Sequence, residues 1–245
     1  MEKETILKEP TPEIVQRVEF ILNERRKASL TEPLSPELTR ELFDIQLTYD
    51  LSDTVFEENG RKGVKDIKGE IRVPALYMDY KELYTFTGMR NIPLIAINDA
   101  GKYGLVKVDG TGTPITEFEY DSIESQLYAE LFIVQKNGLY GLVDSYGHVI
   151  IPCELDYIYD GIPVNKLLLL KDGDKQGIYD CNLDLYCRPV YDRLDDKDGL
   201  VYVMKDDRWG FINFSGDFVE EGSTDILDTE YLLKWYSVEE DFFPS

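Results

Sequence analysis

Apolar residues recur at three- and four-residue spacing through Ile14, Val15, Val18, Ile21 and Leu22, which predicts an amphipathic helix. Thr11 followed by Pro12 supplies a capping hydroxyl and a proline at the first helical position. Arg25, Arg26 and Lys27 fall at the expected C-terminal end, where cations meet the negative end of the helix dipole. A second start stands at Ser35-Pro36, with Leu38, Leu42 and Ile45 on one face and Phe43 beside it. Helices this short do not persist alone in water, so both stripes should dock on something. Residues 1–48 are therefore expected to form an N-terminal helical cap on the rest of the chain.

From about residue 49 the pattern changes to short apolar runs separated by turn residues. Five segments align: Arg61-Lys62-Gly63-Val64, Lys102-Tyr103-Gly104-Leu105, Leu139-Tyr140-Gly141-Leu142, Lys175-Gln176-Gly177-Ile178 and Arg208-Trp209-Gly210-Phe211. The anchoring glycines are 41, 37, 36 and 33 residues apart. A second glycine comes six residues later in four copies (Gly69, Gly110, Gly147 and Gly216), and Leu183 takes that place in the fourth. A proline comes next in the first four copies (Pro74, Pro114, Pro152 and Pro189), then an aspartate: Asp79, Asp121, Asp156, Asp192 and, in the last copy, Asp225.

Each copy reads as an antiparallel unit of three or four strands. An apolar run such as Leu131-Phe132-Ile133-Val134 is a strand, and the Lys136-Asn137-Gly138 turn after it suits a tight hairpin. The anchor segment returns with alternating faces, and its glycine marks the close approach of a neighbouring backbone or ring. The second glycine turns the chain again, and proline ends the next strand because it cannot donate to a ladder. The aspartates recur at one repeat position, so they are expected to cap turns rather than to act as catalytic carboxylates. One unit cannot bury its own face, and stacking neighbours makes the core.

These segments resemble the WG (KWG) repeat, an aromatic-Gly pair followed by a hydrophobic-Asp stretch, a glycine, a strand ending in Ile-Pro, and Tyr-Asp. Arg208-Trp209-Gly210-Phe211-Ile212-Asn213 with Gly216 is similar to its Trp-Gly core. Tyr140-Gly141-Leu142-Val143-Asp144 with Gly147, Ile151-Pro152 and Asp156 follows it over the longest stretch. Lys62 and Gln176 stand where the aromatic belongs. The resemblance spans about residues 49–236 and implies a mostly β, bacterial repeat protein with a β-repeat domain over 49–245. Radial repetition would give a small five-bladed, propeller-like ring, and linear stacking an open β-solenoid. The ring is favoured because it protects strand edges better. The run Tyr231–Tyr236 would then complete a sheet begun near Leu47–Phe56.

Composition narrows function. The 245 residues hold 26 Lys+Arg against 48 Asp+Glu, a formal charge of −22. Such a chain is not expected to grip nucleic acid or an anionic membrane. No apolar run reaches the length of a spanning helix, and the start MEKETILKEP lacks a signal-peptide core. His148 is the only histidine, so no multi-histidine metal site is available. Cys153, Cys181 and Cys187 lack CxxC spacing, which argues against zinc and a disulfide framework and fits a cytoplasmic location. Asp172-Gly173-Asp174 and the acidic stretch Asp195–Gly199 read as turns without calcium-loop spacing. Gly110-Thr111-Gly112-Thr113 reads as a widened hairpin without the lysine of a phosphate loop.

The acidity is densest at the end of the chain, where nine acidic residues from Asp217 onward face Lys234 alone. Aromatic anchors rimmed by charge are what protein interfaces favour. The expected partner-binding residues are therefore Asp217, Glu220, Glu221, Trp235, Tyr236, Phe242 and Phe243. No catalytic, cofactor-binding or metal-binding residues are expected. The sequence points to a non-enzymatic protein that holds a basic protein, in a concrete form an immunity protein blocking a basic toxin. A glycan- or small-molecule-binding module is the alternative, and a hydrolase with an Asp/Glu pair ranks last.

Overall fold

The computed structural model describes residues 7–27, 34–81, 92–126, 131–159, 167–222 and 231–234. Among these residues two helices precede five antiparallel sheets. The chain divides into two compact units, Met1–Glu119 and Tyr120–Ser245.

In the first unit, α1 (Pro12–Lys27) and α2 (Pro36–Thr48) start where the Thr-Pro and Ser-Pro pairs predict. The Ser35 hydroxyl accepts the Leu38 N–H at 3.3 Å, closing the N-terminus of α2. Val18, Ile21 and Leu22 meet Leu42 and Ile45, and the shared core includes Leu51 and the half-buried Ile67. The docking surface is thus the chain leading into the first sheet. Sheet 1 has three strands, β1 (Thr54–Glu58), β2 (Arg61–Lys65) and β3 (Ile71–Tyr77). Sheet 2 has β4 (Asp79–Tyr80), β5 (Leu94–Ile97) and β6 (Tyr103–Val106). Val64, Val73 and Tyr77 of sheet 1 pack on Tyr80, Leu94, Ala96 and Val106 of sheet 2.

The second unit holds three four-stranded meanders. Sheet 3 runs β7 (Ser122–Gln126), β8 (Leu131–Lys136), β9 (Leu139–Asp144), β10 (Val149–Leu155). Sheet 4 runs β11 (Tyr157–Tyr159), β12 (Leu167–Asp172), β13 (Lys175–Asp180), β14 (Leu185–Tyr191). Sheet 5 runs β15 (Arg193–Lys197), β16 (Leu200–Lys205), β17 (Arg208–Ile212), β18 (Phe218–Glu220). Leu131, Ile133 and Leu142 share a core with Leu168 and Leu170 of the next sheet. Leu167, Ile178 and Cys187 do the same with Val201, Val203 and Ile212. The short run Tyr231–Lys234 attaches to sheet 5, its predecessor in the chain, bridging Asn213 through Leu232 and Leu200 through Lys234. Leu233 is fully buried there.

The five anchor glycines occupy one register position. Gly63, Gly104, Gly141, Gly177 and Gly210 lie opposite Phe56, Ala96, Val134, Leu170 and Val203 of the preceding strand. The reason for glycine is steric. In sheets 1, 3 and 4 the following strand sets three residues opposite the glycine and so slips its register by two, as Val64↔Val73 gives way to Lys62↔Tyr77 in sheet 1. The slipped residues contain Pro74, Pro152 and Pro189. That bulge presses backbone onto the glycine, so a Cβ on Gly141 would meet the Ile151 carbonyl oxygen at 2.6 Å. In sheet 2 no strand follows β6; Pro114 makes a single bridge to Val106, and the Phe118 ring covers Gly104, 3.0 Å from where a Cβ would stand.

Candidate functional site

In sheets 1, 3 and 4 the residue before the anchor glycine, aromatic in the repeat pattern, ties one sheet to the next. Tyr140 packs at a tilt against Tyr157 of β11, ring centroids 5.0 Å apart. The two departures keep the role with polar chemistry: Lys62 pairs with Asp79 at 2.8 Å, and the Gln176 side-chain oxygen accepts the Leu194 N–H at 2.8 Å. Trp209, in the last copy, stacks on Tyr202 of its own sheet at 4.6 Å.

The repeat-position aspartates are turn caps. Asp121, Asp156 and Asp192 accept the N–H of Asn137, Gly173 and Asp206, the opening residues of the hairpin in the succeeding sheet. Asp79 instead binds Lys62 and the Tyr80 N–H. Asp225 lies outside the described residues. A second set of Asx turns sits three residues after the anchor. Asp66, Asp144 and Asn213 each accept two backbone N–H groups around Gly69, Gly147 and Gly216, whose φ values are 82°, 87° and 84°. His148 closes the second of these turns, its Nδ1 2.8 Å from Asp144.

Of the residues expected to hold a partner, Asp217 is exposed beside the Asn213 turn, with its N–H on the Asn213 side chain. Glu220 pairs with Arg208 at 3.1 Å. Glu221 receives both the Lys197 ammonium and the Tyr202 hydroxyl, and the Lys197 bond foremost holds its carboxyl below the usual range. Both glutamates thus flank an aromatic and cationic cluster, in which Arg193 lies 5.9 Å from the Trp209 ring and Lys197 4.6 Å from Tyr202. Trp235, Tyr236, Phe242 and Phe243 lie outside the described residues. Sequence reasoning missed the cationic half of this cluster, although Arg193, Lys197 and Arg208 recur around the Trp-Gly pair.

The first unit contains a cleft of about 400 Å³ that the sequence did not signal. Val18 and Leu22 of α1 form one wall, Asp66–Lys68 and Glu70–Arg72 the other, and Asp53 stands within it. Asp53 is 5% exposed, and its carboxylate lies 3.9 Å from the Arg72 guanidinium. Arg72 Nε and one terminal nitrogen are buried without a hydrogen-bond partner among the described residues. Lys68 at the rim bonds Glu19 at 2.6 Å. Cys187 is buried in the core between sheets 4 and 5, and burial pushes its thiol up to about 11. Cys181 borders a different core cluster, and none of the three cysteines is in a disulfide. No group of metal-ligating residues occurs among the described residues. None of the described helices is long and apolar enough to cross a membrane.

No curated protein matches the chain. Among solved structures, KlHsv2 with loop 6CD replaced by a Gly-Ser linker aligns at 11% identity and a TM-score of 0.27. The alignment covers 64% of this chain and 59% of that one, a likeness too slight to bear on fold or function. The model of the WG containing repeat family matches residues 107–140 and 140–160, which hold the third anchor Gly141, its Asx turn at Asp144, Pro152 and the cap Asp156. Residues 107–160 accordingly match the WG-containing repeat, as the glycine-punctuated pattern leads one to expect there.

Proposed function

We propose that this chain is a non-enzymatic binding protein whose acidic surface holds a basic protein, in its concrete form a bacterial immunity protein that neutralises a basic toxin in the cytoplasm. WG repeats suggest a repeat-based protein-binding module. The observation that carries the charge of the partner is the excess of 48 acidic over 26 basic residues. Many of the basic residues are spent within the chain, among them Arg17 on Glu41, Arg61 on Asp99, Lys175 on Asp192 and Arg208 on Glu220. The surplus carboxylates create a field that speeds encounter with a cation-rich surface.

The test is co-expression with the product of the adjacent gene where that product is basic and toxic, followed by titration calorimetry across salt. Restored growth and an affinity that falls steeply with salt support the proposal. A chain that neither rescues growth nor binds the basic product refutes it. The cleft beside α1 favours a second reading, a small-molecule or glycan module. Ligand binding that persists at high salt and is lost on Arg72→Ala would support that reading.

A further inference from the structure

Among the described residues, sheet 1 has no counterpart of the strand that opens each of the other four sheets. The hairpins correspond from sheet to sheet. β1 is followed by the Asn59-Gly60 turn and the anchor strand, so it corresponds to β5, β8, β12 and β16, which are second strands. In the other sheets the outer edge of that strand is covered by β4, β7, β11 or β15. Among the described residues nothing pairs with the outer edge of β1.

The consequences are visible in burial and in hydrogen bonding. Val55 is 43% exposed, whereas its counterparts Ile95 and Ile133 are 0% and 3% exposed. Glu57 corresponds to Ile97, Gln135 and Met204. The carbonyls of those three residues accept N–H groups from the opening segment of their sheets (Met78, Asp121 and Asp192) at 2.9, 2.7 and 2.8 Å. In a two-residue hairpin the closing pair, here Glu58 and Arg61, is hydrogen-bonded. Alternate residues Val55 and Glu57 therefore turn their N–H and C=O groups to the open edge.

We propose that the β1 edge of sheet 1 accepts an extended segment of a partner protein by strand addition, and that the segment has the pattern aromatic-Asp-cation-aliphatic. The last three elements of the pattern have a defined place. The aspartate caps the Asn59 N–H, as Asp121, Asp156 and Asp192 cap the equivalent groups. The aliphatic residue lies opposite Phe56, as Ile123 lies opposite Val134 and Leu194 opposite Val203. The cation lies opposite Glu57, as Arg193 lies opposite Met204. Glu57 and Glu58, both exposed, deter a second acidic edge and select that cation. The proposal stands on the geometry of this edge, independent of the net charge that carries the proposed function.

The chain's own Tyr191-Asp192-Arg193-Leu194-Asp195-Asp196-Lys197 has this pattern, so it serves as the probe as a labelled synthetic peptide. Fluorescence anisotropy with the full chain is expected to show saturable binding, weakened at least tenfold when the peptide aspartate corresponding to Asp192 is replaced by alanine. Glu57→Pro removes one outward N–H without touching the β1–β2 ladder and should lower affinity at least tenfold with an unchanged melting curve. Glu57→Lys, which keeps every backbone group, should weaken binding of the same peptide and serves if the proline variant fails to fold. Absence of saturable binding, or equal binding by a scrambled peptide, overturns the proposal. So does a self-associating chain whose dimer is lost on Glu57→Pro while the peptide fails to bind, because the occupant is then a second copy.

Discussion

Alanine at Gly141 and at Gly104 separates two kinds of close approach at one repeat position. At Gly141 the added Cβ lies 2.6 Å from the Ile151 carbonyl oxygen, 2.8 Å from the Cys153 nitrogen and 2.9 Å from the Pro152 carbonyl carbon. All three are backbone atoms of the β10 bulge, so relief requires β10 to move as a whole. Overpacking of this kind costs about 1–3 kcal/mol, and a rigid neighbour places it at the upper end. Restricting the unfolded chain returns about 0.5–1 kcal/mol. The net expectation for Gly141→Ala is a loss of about 2 kcal/mol. At Gly104 the nearest atoms are the Phe118 ring at 3.0–3.1 Å, and that half-buried ring can tilt. Gly104→Ala should therefore stay within about 0.5 kcal/mol of the parent. Gly138→Ala is the control for backbone conformation alone, since its φ is 82° and its Cβ would meet nothing within 4 Å. Urea unfolding followed by circular dichroism reads all three. Equal midpoints for the Gly141 and Gly104 variants would refute the assignment of this glycine to backbone contact.

Asp206 and Asp207 form the hairpin of sheet 5 with φ of 52° and 60°, where the hairpins of sheets 1 and 3 place glycine second; Asp207→Gly should raise stability by about 0.5–1 kcal/mol in the same urea assay. Asp156→Ala removes the acceptor of the Gly173 N–H and should cost about 1 kcal/mol, while Asp156→Asn, which keeps an acceptor, should cost less. Burial tends to raise the Asp144 carboxyl, but N–H groups of His148 and Tyr146 and the His148 ring outweigh it and hold it below the ordinary value. A depressed carboxylate stabilises above its unfolded pKa and loses that share as pH falls below about 4, so Asp144→Asn should flatten the acid limb of the pH–stability curve. Cys187, with its thiol pushed up to about 11, should resist a thiol reagent in the native chain at neutral pH and react on unfolding.

The sequence made the repeat legible because its punctuation is chemical. A bulge above the anchor tolerates no side chain, the second turn needs positive φ, and the hairpin N–H needs an acceptor. Gly, Gly and Asp therefore recur at fixed offsets, and the same logic identifies Asp121, Asp156 and Asp192 as caps. The identity of the residue before the anchor was less legible, because its task is reach rather than shape: Tyr140, Lys62 and Gln176 all span to the next sheet by different chemistry. The pattern concealed the departures in strand count. Gly110-Thr111-Gly112-Thr113 widens a turn until the strand after β6 shrinks to one bridge at Pro114. The Thr116 hydroxyl takes over an acceptor's role by receiving the Leu105 N–H at 3.0 Å. Before β1, the Leu51–Asp53 stretch is drawn into the helical core and the cleft, with Leu51 under α1 and Asp53 beside Arg72, so this stretch does not form an opening strand. Local propensity cannot reveal that diversion, since Leu-Ser-Asp reads equally well as an edge strand or a linker. The helices win those residues by burying Leu51 to 6% exposure, and that competition leaves the β1 edge unpaired among the described residues.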